Sequence, residues 1–164
     1  MALSQDASKY CEELFEARRT ALLREREKQR IAVRQGLTNF EDAARRAGYP
    51  GILQPDIDYA LALGRARADA RRKAYEWDGQ EIGEATAAEI MVEAGSVLQQ
   101  SLGGLMAGER GRMALLAQRT RKLDPAASAK LGELSRHIKR TVCDAQNSIR
   151  NDLNLWMLEQ RKIV

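Results

Sequence analysis

Eight apolar residues near the C-terminal end, Leu131, Leu134, Ile138, Val142, Ala145, Ile149, Leu153 and Trp156, recur at spacings of 3, 4, 4, 3, 4, 4 and 3. Such positions share one face only in an α-helix, where 3.6 residues complete a turn; a strand alternates every second residue. The pattern repeats every eleven residues, which keeps the stripe nearly straight or slightly right-handed. Asp124-Pro125 places an N-cap residue ahead of a proline at the first helical position. The prediction is a single last helix of about 36 residues, ~54 Å long at 1.5 Å per residue. That is more than a lone domain of 164 residues needs to cover its own core.

The rest of the chain extends the same regime. Alanine, leucine, glutamate and arginine dominate, aromatics make up 5%, and there are only three prolines. Strong helix formers fill the segment interiors, and valine and isoleucine are too sparse for a sheet. The fold class is all-α: a long-helix bundle with helical hairpins and either a short elbow or a helix-turn-helix-like head. Two regions are expected, 1–79 with the elbow at 36–56, and 80–164 as a long-helix oligomerisation region.

Ser4 is placed to cap a first helix with Asp6 in its opening turn, where the helix dipole favours an anion. Its seam of Leu3, Ala7, Tyr10, Leu14, Ala17 and Ala21 fades into "REREKQR", and Gly36 is a natural stop. Thr38 and Glu41 then form a capping box for a short helix that Gly48 ends, followed by the rigid turn "YPGILQP". Pro55 opens the next helix, which Asp78-Gly79 terminates. Two stripes, Ile57, Leu61, Gly64, Ala68 and Tyr75 against Leu63, Ala70, Ala74 and Trp77, give it two neighbours. Its outer face pairs Arg65 with Asp69, Asp69 with Lys73 and Arg72 with Glu76 at i,i+4. A second capping box, Thr86 with Glu89, starts an alanine-rich helix. Its glycines at 95, 103, 104, 108 and 111 mark a break or a close helix approach, since each costs roughly 1 kcal/mol relative to alanine.

Catalytic chemistry is thin. The single histidine, His137, has Glu133 one turn away, and two ligands do not make a zinc site. Carboxylate pairs such as Glu12 with Glu16, or Glu89 with Glu93, read as solvent-facing charges on an arginine-rich helix. No catalytic residue, metal site or cofactor is expected, and the chain does not read as an enzyme. Cys11 and Cys143 read as two reduced, buried thiols. "MALSQDASKY" has neither the basic nor the apolar part of a signal peptide, and no apolar run approaches ~18 residues. A cytoplasmic protein without a membrane span is expected, in host cytoplasm or virion if the chain is viral.

Charge is distributed in blocks around a net +4. Residues 1–17 carry one base and four acids, and 18–34 carry seven bases and two acids. Residues 80–108 hold four acids and no base, and 109–122 five bases and one acid. Alternating blocks favour head-to-tail association between copies as readily as binding to a polyanion. On the first helix Arg19, Arg26, Arg30 and Arg34 stack at spacings of 7, 4 and 4 with no acid on that line. DNA backbone, or an acidic surface on a protein partner, would relieve their repulsion. Arg45 and Arg46 extend the patch, and Arg119, Arg121 and Lys122 form a second cluster.

The segment "TNFEDAARRAGY" resembles the "A-x-x-A-G-Y" stretch that begins the DNA-binding head of many bacteriophage terminase small subunits. "PDIDYALALGRARADARRKAYEW" resembles the long helix that follows such heads, and the likeness covers residues 36–78. It implies a helical head that meets DNA and long helices that oligomerise into a ring feeding a packaging motor. Between Gly48 and Pro55 there is no room for a recognition helix, so any contacts would be to phosphates, which position without specifying. The other reading is a structural or adaptor helical protein of a virion or other large complex, binding protein rather than nucleic acid. In both, the apolar collar Leu153, Leu155, Trp156, Met157 and Leu158 is the expected homo-oligomer interface, unless the first helix folds back over it.

Overall fold

The computed structural model describes residues 2–36, 53–120 and 125–162, and these form four α-helices and no strand. They are α1 (Gln5–Gly36), α2 (Gln54–Trp77), α3 (Glu84–Thr120) and α4 (Pro125–Lys162). The expected short helix at 38–47 and its turn lie outside the described residues.

Successive helices run antiparallel, and α2 is the element the others share. Ser4 caps α1 by accepting from the Ala7 amide at 3.1 Å. It also anchors that helix to the end of α2: its amide donates to Asp78 Oδ2 at 2.7 Å and its hydroxyl to Asp78 Oδ1 at 2.5 Å. α2 ends in a Schellman turn, with the Gln80 amide on the Tyr75 carbonyl, the Gly79 amide on the Glu76 carbonyl, and Gly79 at φ +66°. Only glycine takes that backbone without strain. α3 starts two residues before the expected capping box, with the Ala87 amide on the Gly83 carbonyl. At the same end Gln160 of α4 bonds both the Ile82 amide (3.1 Å) and the Ile82 carbonyl (3.3 Å), closing the bundle.

Both predicted stripes of α2 are buried except at Leu61, which is half-buried, and Trp77. Ile57, Gly64, Ala68 and Tyr75 face α3 and α4, while Leu63, Ala70 and Ala74 face α1. Regions 1–79 and 80–164 therefore share core, for example Tyr75 with Ile90 and Leu153, or Ile57 with Leu102 and Leu134. α2 touches three helices rather than two. Trp77 departs from the expected face: it is 60% exposed and stacks on Tyr10 with ring centroids 4.4 Å apart.

Gly95 of α3 is buried beside Gln146 of α4, 3.5 Å from where its Cβ would stand, but the later glycines of α3 fit neither alternative read in the sequence. The helix runs unbroken from Glu84 to Thr120, and a Cβ at Gly103, Gly104, Gly108 or Gly111 would meet open space. The close approach is instead at Gly64 of α2, where a Cβ would stand 2.7 Å from Leu98 Cγ. Among the described side chains, none beyond Met106 of α3 or before Leu134 of α4 joins a core cluster.

Candidate functional site

The arginine stripe of α1 lies against α2 instead of standing clear of the bundle. Arg26 sets its guanidinium 4.4 Å from the centroid of the Tyr59 ring, a cation–π contact. Arg30 is ion-paired with Asp56 in the first turn of α2 and lies 3.7 Å from Glu27. Arg19 is 3.4 Å from Glu16, and the Tyr59 hydroxyl, followed by Glu16, pushes its pKa up. The line without acids is therefore a feature of helix numbering alone. Folding brings Asp56 to Arg30 from 26 residues away. The side chains of Arg34, Arg45 and Arg46 lie outside the described residues. So do those of Arg119, Arg121 and Lys122.

The predicted pairs along α2 are also redistributed. Arg72 approaches Asp69 at i,i+3 (3.8 Å), and Arg65 donates to Ser148 of α4. Arg67 becomes the junction of three helices: Nη2 is 2.8 Å from Glu12 of α1, and Nε donates to Glu93 of α3 at 2.7 Å. Arg71 Nε sits 2.8 Å from the other Glu93 oxygen without aiming its hydrogen at it. Burial would lower the Arg67 pKa, but the hydrogen bonds to Glu12 and Glu93 outweigh it and hold it raised. The sequence alone marks Glu12 and Glu93 as solvent-facing charges; Glu12, 58% exposed, remains one while pairing with Arg67, whereas Glu93, 28% exposed, is drawn into the junction. The signal present in the sequence is Arg67 standing within Ala66, Ala68 and Ala70, small residues over which a long arginine stem can cross to a neighbouring helix.

Two open grooves flank the exposed strip of α2. One of about 690 Å³ runs between α1 and α2 over a floor of Ala17, Ala21, Ala62, Ala66 and Ala70, rimmed by Arg18, Arg65, Asp69 and Lys73. The other, about 100 Å³, continues across Arg65 and Asp69 toward Ile149, Asp152 and Leu153 of α4. Neither encloses a small molecule. Among the described residues no cluster of three or more potential metal ligands occurs. His137 Nε2 lies 3.4 Å from Gln54 Oε1, half-buried. No helix among them is long and apolar enough to cross a membrane.

The collar of α4 is only partly satisfied within the chain. Leu153 is buried, Trp156 and Met157 pack on the cluster containing Tyr75 and Ile82, and Arg72 lies over the Trp156 ring at 5.7 Å. Leu155 and Leu158 remain 59% and 52% exposed. Neither fold-back of α1 nor its absence describes this end: Leu3 joins the same cluster while those two leucines stay uncovered. Both cysteines are free; Cys11 is buried as expected, but Cys143 is exposed because it faces away from the Leu134–Ile138–Ala145 stripe.

No protein-family model, curated protein or solved structure matches the chain.

Proposed function

We propose that this chain is a non-enzymatic helical assembly protein that works by docking onto protein, other copies of itself included. The observation that carries the reading is the open trough over α2: an alanine-floored groove with a charged rim, bordered by α1 and α4. Small residues on such a floor let a further helix approach closely, and the rim offers charges to orient it. The uncovered Leu155 and Leu158 add apolar surface at the turn end of the same bundle.

A second reading keeps the DNA-associated, terminase-small-subunit-like role. It is supported by exposed bases without ion pairs among the described residues, Arg18, Arg24 and Lys28 of α1 and Lys130, Arg136, Lys139 and Arg140 of α4. In this reading those residues, rather than Arg26 and Arg30, meet phosphates.

Titrating labelled duplex DNA with the purified protein over a range of salt separates the two. The protein-docking reading expects weak binding that vanishes near physiological salt. Submicromolar affinity there, with a steep salt slope, would transfer the assignment to DNA.

A further inference from the structure

The charges of this bundle are sorted along its axis. Residues 74–108 contain six acids and no base, and residues 109–140 contain nine bases and three acids. The described acids of the first block and the described bases of the second lie toward opposite ends of the fold. α3 carries the acids in its first turns and Arg110 beyond the core, and Glu84 and Arg110 are ~39 Å apart along one continuous helix. The acidic end gathers Glu76, Glu81, Glu84 and Glu89, all exposed and without an ion pair among the described residues, while Arg161 of α4 lines the same groove as Glu81 and Glu84 and leaves the end with an excess of acids. Antiparallel α4 returns Arg136, Lys139 and Arg140 to the other end, exposed and likewise without such a pair. Arg136 and Arg140, one turn apart, share a line with Glu133 and the exposed Asp144, and Lys139 beside them leaves the patch one charge positive.

A Debye length is about 10 Å at 0.1 M salt, so the two ends cannot neutralise one another within a single chain. Each end keeps an excess of one sign that an outside surface of opposite sign would cover. A nucleic acid would relieve the basic end and leave the acidic end unmatched. A second copy of this chain relieves both. We infer that copies associate head to tail, the Glu81–Glu84–Glu89 end of one on the Arg136–Lys139–Arg140 face of the next. The contact joins two different surfaces, so it closes into a ring or continues as a filament. This rests on the assembly reading and names its mode.

A charge-swap pair tests it. One variant carries Glu81→Lys, Glu84→Lys and Glu89→Lys; the other carries Arg136→Glu, Lys139→Glu and Arg140→Glu. All six positions are exposed, and circular dichroism checks that each variant keeps its helix content. By sedimentation velocity at low salt, each alone should self-associate at least about tenfold more weakly than wild type. An equimolar mixture should recover association, because each reversed end meets a complementary one. Variants that associate like wild type, or a mixture that stays dissociated, would overturn the head-to-tail mode while leaving assembly by other surfaces intact. A wild type that never associates would remove both. Loss of tight DNA binding in the basic-face variant, with self-association unchanged, would assign that face to nucleic acid.

Discussion

Arg67 of the central helix and Glu93 of α3, 26 residues apart, meet through a 2.7 Å hydrogen bond at a point that α1 also reaches through Glu12. Their side chains are only 16% and 28% exposed, so the charges are poorly screened, and Arg67 also lies over the Phe15 ring at 4.9 Å. Glu93→Ala leaves Arg67 and Arg71 facing each other without their common carboxylate. Urea unfolding should register a loss of about 1.5–3 kcal/mol, the range for hydrogen bonds to charged groups. Glu89→Ala, on the exposed side of the same helix, should change stability by less than about 0.5 kcal/mol. Equal effects of the two would show that the three-helix junction contributes nothing.

The glycines give a pair of opposite expectations. Gly64→Ala drives a methyl to 2.7 Å from Leu98 Cγ, where Leu98 is fully buried, and should cost about 1–3 kcal/mol. Leu98→Val in the same chain should restore part of that stability. Gly104→Ala and Gly108→Ala enter open space on a continuous helix and should each stabilise by roughly 0.5–1 kcal/mol. Thermal melts of the three variants compare them directly. A neutral Gly64→Ala would contradict the close crossing of α2 and α3.

The helices are legible in the sequence because their signals are local: Ser4, Gly36, Pro55, Gly79 and Pro125 mark ends, and the 3.6-residue period marks faces. The buried stripe from Leu134 through Leu153 lies where its spacing puts it. The fate of the charged side chains is not legible. Arg30 has no acid on its own line, yet Asp56 waits on the next helix; Arg65 has Asp69 one turn on, yet it reaches Ser148. An arginine stem spans several ångströms, so its partner is chosen by which helices fold side by side, and spacing within one helix cannot specify that. Leu155 and Leu158 are hidden for the same reason in reverse: a collar apolar all round does not reveal which side its own chain leaves open.

The two thiols should differ sharply in reactivity. Cys143 is exposed, whereas Cys11 is 1% exposed and burial, partly offset by Arg67 and Arg71, raises its pKa. A maleimide at neutral pH should label Cys143 quickly and Cys11 only at the rate of unfolding. For a thiol raised in the folded state, the stability contribution is full below the ordinary thiol pKa and is lost as pH rises through the folded value. Protection of Cys11 should accordingly weaken in strongly alkaline buffer. Labelling of both at one rate would show that α1 does not stay packed on α2.

Substitutions on α1 distinguish structural arginines from those free to meet a partner. Arg26→Gln and Arg30→Gln remove the Tyr59 and Asp56 interactions and should lower the melting temperature. Changing Arg18, Arg24 and Lys28 to glutamine should leave the melt nearly unchanged. If DNA binds at low salt, the second set should flatten the slope of log affinity against log salt by ~0.9 for each phosphate no longer neutralised. The reverse assignment would place the polyanion on the stripe itself.

The mass of the wild-type protein in solution tests the assembly claim most directly. Light scattering across a chromatographic peak at micromolar concentration should give a multiple of the 18.4 kDa chain mass at about 0.05 M salt. Raising the salt to about 0.5 M should shift that mass downward, since screening weakens the attraction between charged ends. A well-folded species of 18.4 kDa under both conditions would contradict assembly.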